Sequence, residues 1–331
     1  MFNFRLPLLV FMFICFSQSA NALNILLTND DSYATENIQT LFSRLEQAGH
    51  SVLMSAPCTG QSGKGGALNG LVGVTVTSIT EQQVCVGDTD ETVAFEDFVE
   101  GTPVMAVLYG LDVLALNEWG QLPDLVISGP NEGNNLGYIV TSSGTVSAAN
   151  AAISRGVPTI AISAHADEEN PDLVADVVLN IVAKLEEKRR PGKKLLPRFT
   201  GLNVNTPEDL VNNKGFAFSR VGWSADGLDV KFVADLSQDP VAVGLVTQSI
   251  LESGVTDDPA TAQAFAIASF EGKGGITLDT SGELYQDTSR RSEGNLIGEG
   301  YITISTIEGN PQATRAKSAW VRFKLNSLVA P

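Results

Sequence analysis

The sequence predicts an α/β fold in which helices cover both faces of a mostly parallel, doubly wound sheet. Short apolar segments alternate with segments of helical periodicity from Asn24 onward, and several of the apolar segments end in polar clusters. With 331 residues and 43% hydrophobic content, the chain is large enough to bury such a core. Ligands of these sheets bind beyond the carboxyl ends of the strands, so the polar clusters are the first candidates for a functional site.

The predicted elements follow one another along most of the chain. One helix is predicted by four apolar residues with the i, i+3, i+4, i+7 spacing of a single face. They are Ile38, Leu41, Phe42 and Leu45, and Gly49 ends the helix. The other predicted helices span 102–116, 145–154, 171–190 and 240–252, and the predicted strands span 25–28, 51–55, 125–128, 158–163, 202–205 and 301–305.

The composition is acidic, with 21 basic and 38 acidic residues and a formal net charge of −17. Such a surface repels polyanions, which argues against a nucleic-acid duplex or an anionic membrane as a partner. A small phosphate ester needs only one local site, so it remains a possible substrate. Acidic side chains also suit cations that prefer oxygen ligands.

Residues 1–22 are typical of a signal peptide. Arg5 supplies the positive charge, Leu6 to Phe16 form the apolar segment, and Ala20-Asn21-Ala22 resembles a cleavage site. The apolar segment is shorter than the about 20 residues that span a bilayer. We therefore expect an exported protein, periplasmic or secreted, that starts near Leu23 and has no membrane anchor after cleavage.

Cysteine and histidine are scarce. Cys58 and Cys85 remain after cleavage, and in an oxidising compartment they either pair or stay separate buried thiols; the sequence leaves both open. With His50 and His165 as the two histidines of the chain, no Ser-His-Asp, Cys-His or zinc-type set is predicted. A hydrolase built on this chain must therefore use water that a metal ion activates.

The first polar cluster is Asn29-Asp30-Asp31, directly after the first predicted strand. Two adjacent carboxylates at the end of a buried strand repel each other unless a cation or hydrogen-bond donors compensate them. By itself the triplet is equally consistent with a solvated turn. Combined with other oxygen donors, it predicts a site for a hard cation such as Mg²⁺, Mn²⁺ or Ca²⁺.

Two glycine-containing segments supply further oxygen donors. In the loop GQSGKGG, glycines permit close backbone approach and Ser62 offers a hydroxyl, but the spacing is not that of a Walker loop. The segment SGPNEGNNLG follows a predicted strand and contains Asn131, which is either a ligand or a turn residue. Ser143 and Thr145 then open a helix, which predicts either a phosphate cradle or an ordinary helix cap.

Together these motifs resemble the SurE (survival protein E) family of metal-dependent 5′/3′-nucleotidases and phosphatases. The resemblance covers roughly the first two-thirds of the chain after the signal peptide, and its order and spacing are more specific than any single motif. It is carried by ILLTNDD at 25–31, AP and QSG within 56–63, GTP at 101–103, PDLVISGPNEGNNLG at 123–137, SSGTVSAA at 142–149, GVPTIAIS at 156–163, LNVNTP at 202–207 and EGYITIST at 299–306.

The resemblance implies roles for particular residues. Metal ligands, for Mg²⁺ or Mn²⁺, are implied at Asp30, Asp31, Ser62 and Asn131. Contacts with the substrate or its phosphate are implied at Asn29, Asn135, Ser143, Gly144 and Thr145. Catalytic roles fall on Asp30 and Asp31, either of which accepts the proton of the attacking water. Two positions depart from the family pattern: Ser32 replaces a usual glycine, and Pro130 replaces a usual apolar residue.

The resemblance also implies a domain organisation. A Rossmann-like, three-layer catalytic core is expected over residues 23–210. A C-terminal extension over 211–331, β-rich with helical parts, is expected to complete the fold and to form a homodimer or homotetramer. The stretch 212–298 matches the family poorly, which leaves oligomeric state and substrate preference open.

The expected function is an exported metal-dependent phosphomonoesterase, a 5′/3′-nucleotidase acting on nucleoside monophosphates. An oxidoreductase with a nucleotide cofactor would have a G-x-G-x-x-G turn after the first strand, where this chain has Asn29-Asp30-Asp31. Two alternatives remain open: a broad-specificity acid phosphatase, and a catalytically silent secreted binding protein on the same fold.

Overall fold

A computed structural model of the chain describes residues 22–89, 93–94, 97–225, 229–280 and 285–328. All but the last residue of the predicted signal peptide, 1–21, lies outside these ranges. Among the described residues, no helix has the length and apolar character that crossing a membrane requires.

Strands and helices alternate through the described residues. The strands are β1 (Asn24–Thr28), β2 (Ser51–Pro57), β3 (Val76–Ser78), β4 (Gln83–Val86), β5 (Leu125–Glu132), β6 (Thr159–Ala164), β7 (Thr200–Asn205), β8 (Phe216–Ser219), β9 (Asp229–Val233), β10 (Gly275–Asp279) and β11 (Ile302–Glu308). The α-helices are α1 (Glu36–Gln47), α2 (Pro103–Tyr109), α3 (Ala115–Trp119), α4 (Gly144–Ser154), α5 (Pro171–Lys188), α6 (Pro240–Glu252), α7 (Pro259–Phe270), α8 (Glu293–Gly298) and α9 (Arg315–Leu325).

The main sheet has nine strands in the order β3-β4-β2-β1-β5-β6-β7-β11-β8. The run from β4 to β7 is parallel, whereas β3 and β11 are antiparallel to β4 and β7. A separate antiparallel pair joins β9 to β10. The predicted α/β fold with a mostly parallel sheet is confirmed, and the carboxyl ends of the parallel strands share one edge of the sheet.

Helices cover both faces of the sheet because successive side chains of β1 point in opposite directions. Ile25 and Leu27 belong to the core formed with α1 and α5, and Leu26 belongs to the core formed with α2 and α4. The four predicted apolar residues of α1 are all buried. In α4, the fully buried Ala148 and Ala152 bring the helix axis close to the sheet.

The helix predicted over 102–116 contains a π-helical turn, Gly110–Leu114, between α2 and α3. A methyl group on Gly110 would lie 2.7 Å from the Cδ2 atom of Leu26, so the helix approaches β1 too closely there for a larger residue. The chain stays helical through this turn, so the predicted helix is found in three consecutive parts.

Strand β5 is four residues longer than predicted, since it continues past Ser128 to Glu132. Gly129 and Pro130 are residues of turns, and for that reason the sequence predicts that the strand ends before them. The register with β6 shifts between Ser128 and Asn131 and then resumes, with Asn131 opposite Ser163. Asn131 therefore lies on a paired strand instead of in a loop, and the sheet fixes its position.

The C-terminal part of the chain contributes to the main sheet. β11, predicted at 301–305, inserts between β7 and β8, and β8 forms the outer edge. The predicted helix 240–252 is confirmed as α6. The remainder of the expected C-terminal extension contains one strand pair, β9 and β10, and three further helices, α7, α8 and α9, so it has more helices than the one that the sequence predicts there. The division at residue 210 stays a prediction.

Cys58 and Cys85 form a disulfide bond across a sequence separation of 27 residues. Cys58 follows β2, and Cys85 lies on β4, which pairs with β2. The bond therefore ties the loop that carries Ser62 to its neighbouring strand. Of the two possibilities that the sequence leaves open, the structure shows the paired form.

We expect the double substitution Cys58→Ala/Cys85→Ala to lower the free energy of unfolding by about 3 kcal/mol, because the disulfide restricts the unfolded chain. Urea denaturation of the oxidised protein and of the variant measures the difference. As a control, a reducing agent should destabilise the parent protein and leave the variant unchanged. A variant as stable as the oxidised parent would contradict the expectation.

Candidate active site

Asp30 lies immediately beyond the carboxyl end of β1, between β2 and β5 in the sheet. Its side chain is buried, with 3% of the residue exposed. The main-chain carbonyl of Asp30 accepts a hydrogen bond from the N–H of Gln61 at 2.6 Å. The loop after β2 is thereby held against the end of β1.

The carboxylate of Asp30 packs against the first turn of α4. The hydroxyl of Thr145, itself fully buried, donates a hydrogen bond to Asp30 Oδ1. A methyl group on Gly144 would lie 2.7 Å from Asp30 Oδ2, so the approach of helix and carboxylate requires glycine. The N-terminus of a helix carries partial positive charge, which makes it a favourable neighbour for this anion.

Desolvation dominates the electrostatics of Asp30. Burial raises the pKa of its carboxyl group to about 6; the hydrogen bond from Thr145 lowers the pKa, and the charge of Asp31 raises it again. Within the described residues, no ion pair includes Asp30 or Asp31. The pair of carboxylates is compensated by hydrogen bonds alone, without a cationic side chain.

Two other segments, the loop after β2 and the end of β5, donate hydrogen bonds to the carboxylate of Asp31. Ser62 Oγ donates to its Oδ1 at 3.3 Å, and the main-chain N–H of Glu132 donates to its Oδ2 at 2.8 Å. Burial raises the pKa of Asp31, while the bonds from Glu132 and Ser62 lower it. Burial and the charge of Asp31 also raise the pKa of Glu132. The structure thus brings Asp31, Ser62 and the end of β5 together.

Asn131, next to Glu132, is largely buried. Its Nδ2 donates to the carbonyl of Gly133 at 2.5 Å, which turns the Oδ1 atom away from that carbonyl. All four predicted metal ligands therefore lie on segments that contact one another at one edge of the sheet. By contrast, Lys64 of the same loop forms an exposed ion pair with Glu100, and within the described ranges no ion pair joins it to Asp30 or Asp31.

The donor set fits a divalent cation. The described residues contain no group of three or more His, Cys, Asp and Glu side chains suited to a metal ion. A cation here would be held by two carboxylates and by neutral oxygens, the ligands that hard cations prefer. Two further buried acceptors of the surrounding loops, Asn29 Oδ1 and Gln61 Oε1, have no hydrogen-bond donor in the part of the chain that the structure describes. Each unpaired buried acceptor destabilises the metal-free fold.

Asn29 also stabilises the backbone of the loop that carries the two aspartates. Its Nδ2 donates to the carbonyl of Ser32 at 2.9 Å and so closes the loop around the two aspartates. Ser32 has φ of 105°, a conformation that favours glycine. The glycine that usually stands here in the family has no side chain to strain at this φ, whereas Ser32 has one.

Asn135 and the start of α4 form a buried hydrogen-bonded unit. Asn135 Nδ2 donates to Thr145 Oγ1 at 3.3 Å and to Ser163 Oγ at 2.9 Å. The hydroxyl of Ser143 accepts from the N–H of Val146 at 3.1 Å and thus caps the helix. Asn135 and Thr145 thus hold each other and Asp30, and Ser143 caps the helix that carries Thr145. Their predicted contacts with a phosphate, like that of Gly144, stay predictions.

Comparison with known proteins shows the family to which this chain belongs. The sequence pattern described as "Survival protein SurE" matches residues 25–226. The chain belongs to the SurE family. The crystal structure of the SurE protein from Aquifex aeolicus superposes with a TM-score of 0.62 at 26% sequence identity, covering 91% of this chain and 99% of that one. The SurE fold predicted from the motifs is thereby confirmed.

Curated relatives carry names of one enzyme class. A "5'-nucleotidase SurE" of Lawsonia intracellularis is 34% identical over 61% of this chain and 74% of its own length. An "Acid phosphatase" of Yarrowia lipolytica is 34% identical over 55% of this chain and 56% of its own. A "5'-nucleotidase SurE" of Thermosipho africanus is 37% identical over 56% and 65%. These relatives confirm the predicted class, a hydrolase of phosphoric monoester bonds.

Several polar residues of this SurE site are missing from the sequence prediction. Gln61 and Ser163 contact predicted residues directly, while Asn203 and Asn205 of β7 hold the main chain of Asn135. The signal for the last two was present in the motif LNVNTP. Asparagines two positions apart face the same side of a strand, and amides in a buried strand need partners.

Asp30→Asn should stabilise the protein at pH 8 without divalent cations. A carboxyl pKa of 3.8 in the unfolded chain and about 6 in the fold means that the folded state binds the proton more tightly. Stability is then lost as the pH rises from about 4 to about 6, by on the order of 2–3 kcal/mol. Urea denaturation at pH 4 and pH 8 measures the gain, which should shrink at pH 4. The exposed Asp209, whose pKa is lowered by hydrogen bonds from Asn212, is the control, because Asp209→Asn should give no gain at pH 8.

Gly144→Ala should lower phosphatase activity about 10- to 100-fold, since the added methyl group displaces the Asp30 carboxylate. Circular dichroism should show the parent secondary structure, and steady-state assays measure the loss. Gly244→Ala is the matched control: it also lies in a helix, α6, but has open space around it and should keep full activity. A fully active Gly144→Ala protein would show that the close contact is dispensable.

Proposed function

We propose that this chain is an exported, metal-dependent phosphomonoesterase that releases phosphate from nucleoside monophosphates. The observation that carries the proposal is a pair of adjacent carboxylates, the buried Asp30 and the partly exposed Asp31. They have no cationic partner among the described residues and face neutral oxygen donors beside the first turn of α4. The names of the bacterial relatives support nucleotides as substrates. The name of the Yarrowia relative supports a broader acid phosphatase as the alternative.

The metal ion would be held by Asp30, Asp31, Ser62 and Asn131. When bound, such an ion lowers the pKa of water and offsets negative charge on a phosphate oxygen. Mg²⁺ and Mn²⁺ suit this set of carboxylate, hydroxyl and amide oxygens. The chain's own residues would supply the geometry and the proton transfer.

One of the two aspartates would act as the base that accepts a proton from the attacking water. Burial raises the pKa of Asp30 to about 6 in the metal-free fold. A bound cation would favour the charged form of its carboxylate, which is the form that accepts a proton. Thr145 Oγ1 holds Asp30 Oδ1, and Ser62 and Glu132 hold the two oxygens of Asp31. Main-chain N–H groups at the start of α4 would bind phosphate oxygens and stabilise the developing charge.

Export and self-association are further parts of the proposal. The signal-peptide pattern at residues 1–22 and the disulfide between Cys58 and Cys85 both support an oxidising location, periplasmic or secreted. The edge strand β8 exposes Phe216 and Phe218. Exposed aromatic side chains on a strand edge support a homodimer or homotetramer built through the C-terminal extension.

The proposal predicts that the purified protein hydrolyses nucleoside monophosphates and 4-nitrophenyl phosphate with Mg²⁺ or Mn²⁺, and that a chelator removes this activity. Asp31→Ala should reduce kcat by about 100-fold or more, because it removes one ligand and a candidate base. Asp172→Ala, which breaks an exposed ion pair with Arg44, serves as the control and should keep parent activity.

Full activity of Asp31→Ala with metal present, or full activity of the parent protein under chelator, would refute the assigned site. A panel of nucleotides, 4-nitrophenyl phosphate and polyphosphate then separates a nucleotidase from a general phosphatase. Nucleotide binding without any hydrolysis would identify a catalytically silent protein.

A further inference from the structure

Glu293 is a buried acid that no predicted role explains. It is the first residue of α8, close to the C-terminal end of the chain, and it has 0% exposure. Its Oε1 accepts a hydrogen bond from Asn203 Nδ2 at 2.9 Å, and its Oε2 is buried without a donor among the residues that the structure describes. A fully buried carboxyl group with one unsatisfied oxygen destabilises a fold unless it serves a further purpose.

Asn203, the hydrogen-bond partner of Glu293, also contacts a residue of the candidate active site. Asn203 Nδ2 also donates to the main-chain carbonyl of Asn135, at 3.1 Å. Because the two protons of one amide group point in fixed directions, the bond to Glu293 orients the bond to Asn135. The carboxyl group thus determines how the asparagine side chain sits on β7.

Asn205, two residues further along β7, holds the same residue from the same face. Its Oδ1 accepts from the N–H of Asn135 at 2.9 Å, and its Nδ2 donates to the carbonyl of Asn135 at 3.2 Å. Both main-chain polar groups of Asn135 are therefore fixed by β7. The side chain of Asn135 in turn donates to Thr145, and Thr145 donates to Asp30.

We propose that Glu293 is a positioning residue for the active site, which acts through Asn203, Asn135 and Thr145 on the carboxylate of Asp30. The inference rests on the proposed function and extends it to a residue more than 260 positions away in the sequence. Each step is a hydrogen bond between buried groups, where a shift at one end is transmitted because no solvent can substitute for a lost partner.

The ionisation of Glu293 is consistent with this arrangement. Burial raises its pKa to about 7; the nearby hydroxyl of Ser305 and the hydrogen bond from Asn203 lower it, and the charge of Asp287 raises it. The neutral and the charged carboxyl group both offer an acceptor to Asn203. Glutamine at this position offers the same acceptor with nearly the same shape, whereas methionine has a similar length and offers none.

The variants Glu293→Gln and Glu293→Met therefore distinguish the role of the Glu293 side chain in hydrogen bonding from its role in packing. With 4-nitrophenyl phosphate and saturating Mn²⁺, Glu293→Met should lower kcat about 10- to 100-fold and change KM by less than about twofold, since only the positioning of a catalytic carboxylate is affected. Glu293→Gln should keep kcat within about twofold of the parent protein. If Glu293→Met does not fold, Asn203→Ser, which removes both hydrogen bonds that the Asn203 side chain donates, should give the same split between kcat and KM.

Asp239→Ala controls for a general loss of stability. Asp239 is also buried and caps α6 in the C-terminal arm by accepting hydrogen bonds from Val241 and Ala242. All variants are assayed at a temperature well below their melting points, and Asp239→Ala should keep the parent kcat.

Three results would overturn the inference: parent kcat in Glu293→Met, an equal loss in Glu293→Gln, or an equal loss in Asp239→Ala. A parent protein without phosphatase activity would overturn the proposed function and this inference with it, whereas any of the three results above in an active parent series would overturn the inference alone.

Discussion

The carboxylate of Asp30 is buried against the first turn of α4, and most of the site follows from the need to stabilise it there. Glycine is required at position 144 because the helix and the carboxylate are in contact. A hydroxyl is required at position 145 because Asp30 accepts a hydrogen bond from it. The helix terminus and these bonds reduce the desolvation penalty without cancelling it, as the raised pKa of Asp30 shows.

The remaining desolvation penalty of Asp30 lowers the stability of the fold at the place where the proposed chemistry needs a carboxylate. Asp30, Asp31 and Glu132 all have pKa values raised by burial, and Asn29 Oδ1 and Gln61 Oε1 lack donors. Local rules of stability are broken where a protein works, and the remainder of the fold compensates. Here the compensation includes the disulfide beside the Ser62 loop and the sheet on both sides of β1.

Sequence periodicity and strand-end position predict the central elements and the main cluster. Periodicity finds α1, and the position of Asn29-Asp30-Asp31 after an apolar strand places that cluster at the edge of the sheet. Other features depend on contacts between distant segments and leave no local pattern. The bond from Asn203 to Glu293 spans 90 positions, and α8 is too short to show a periodicity. The extension of β5 through Gly129 and Pro130 is set by β6, against the local preference for a turn.

The insertion of β11 between β7 and β8 has a consequence for how the chain is made. Strand β7 is synthesised about a hundred residues before its antiparallel partner, since Asn205 pairs with Thr303. Until that partner emerges, the outer edge of β7 is an open row of amide and carbonyl groups, able to pair with another chain. Contacts this far apart in sequence also form slowly. A nascent chain therefore carries this open edge from the synthesis of β7 until β11 has been made, and a premature stop codon ahead of β11 would leave the edge open permanently.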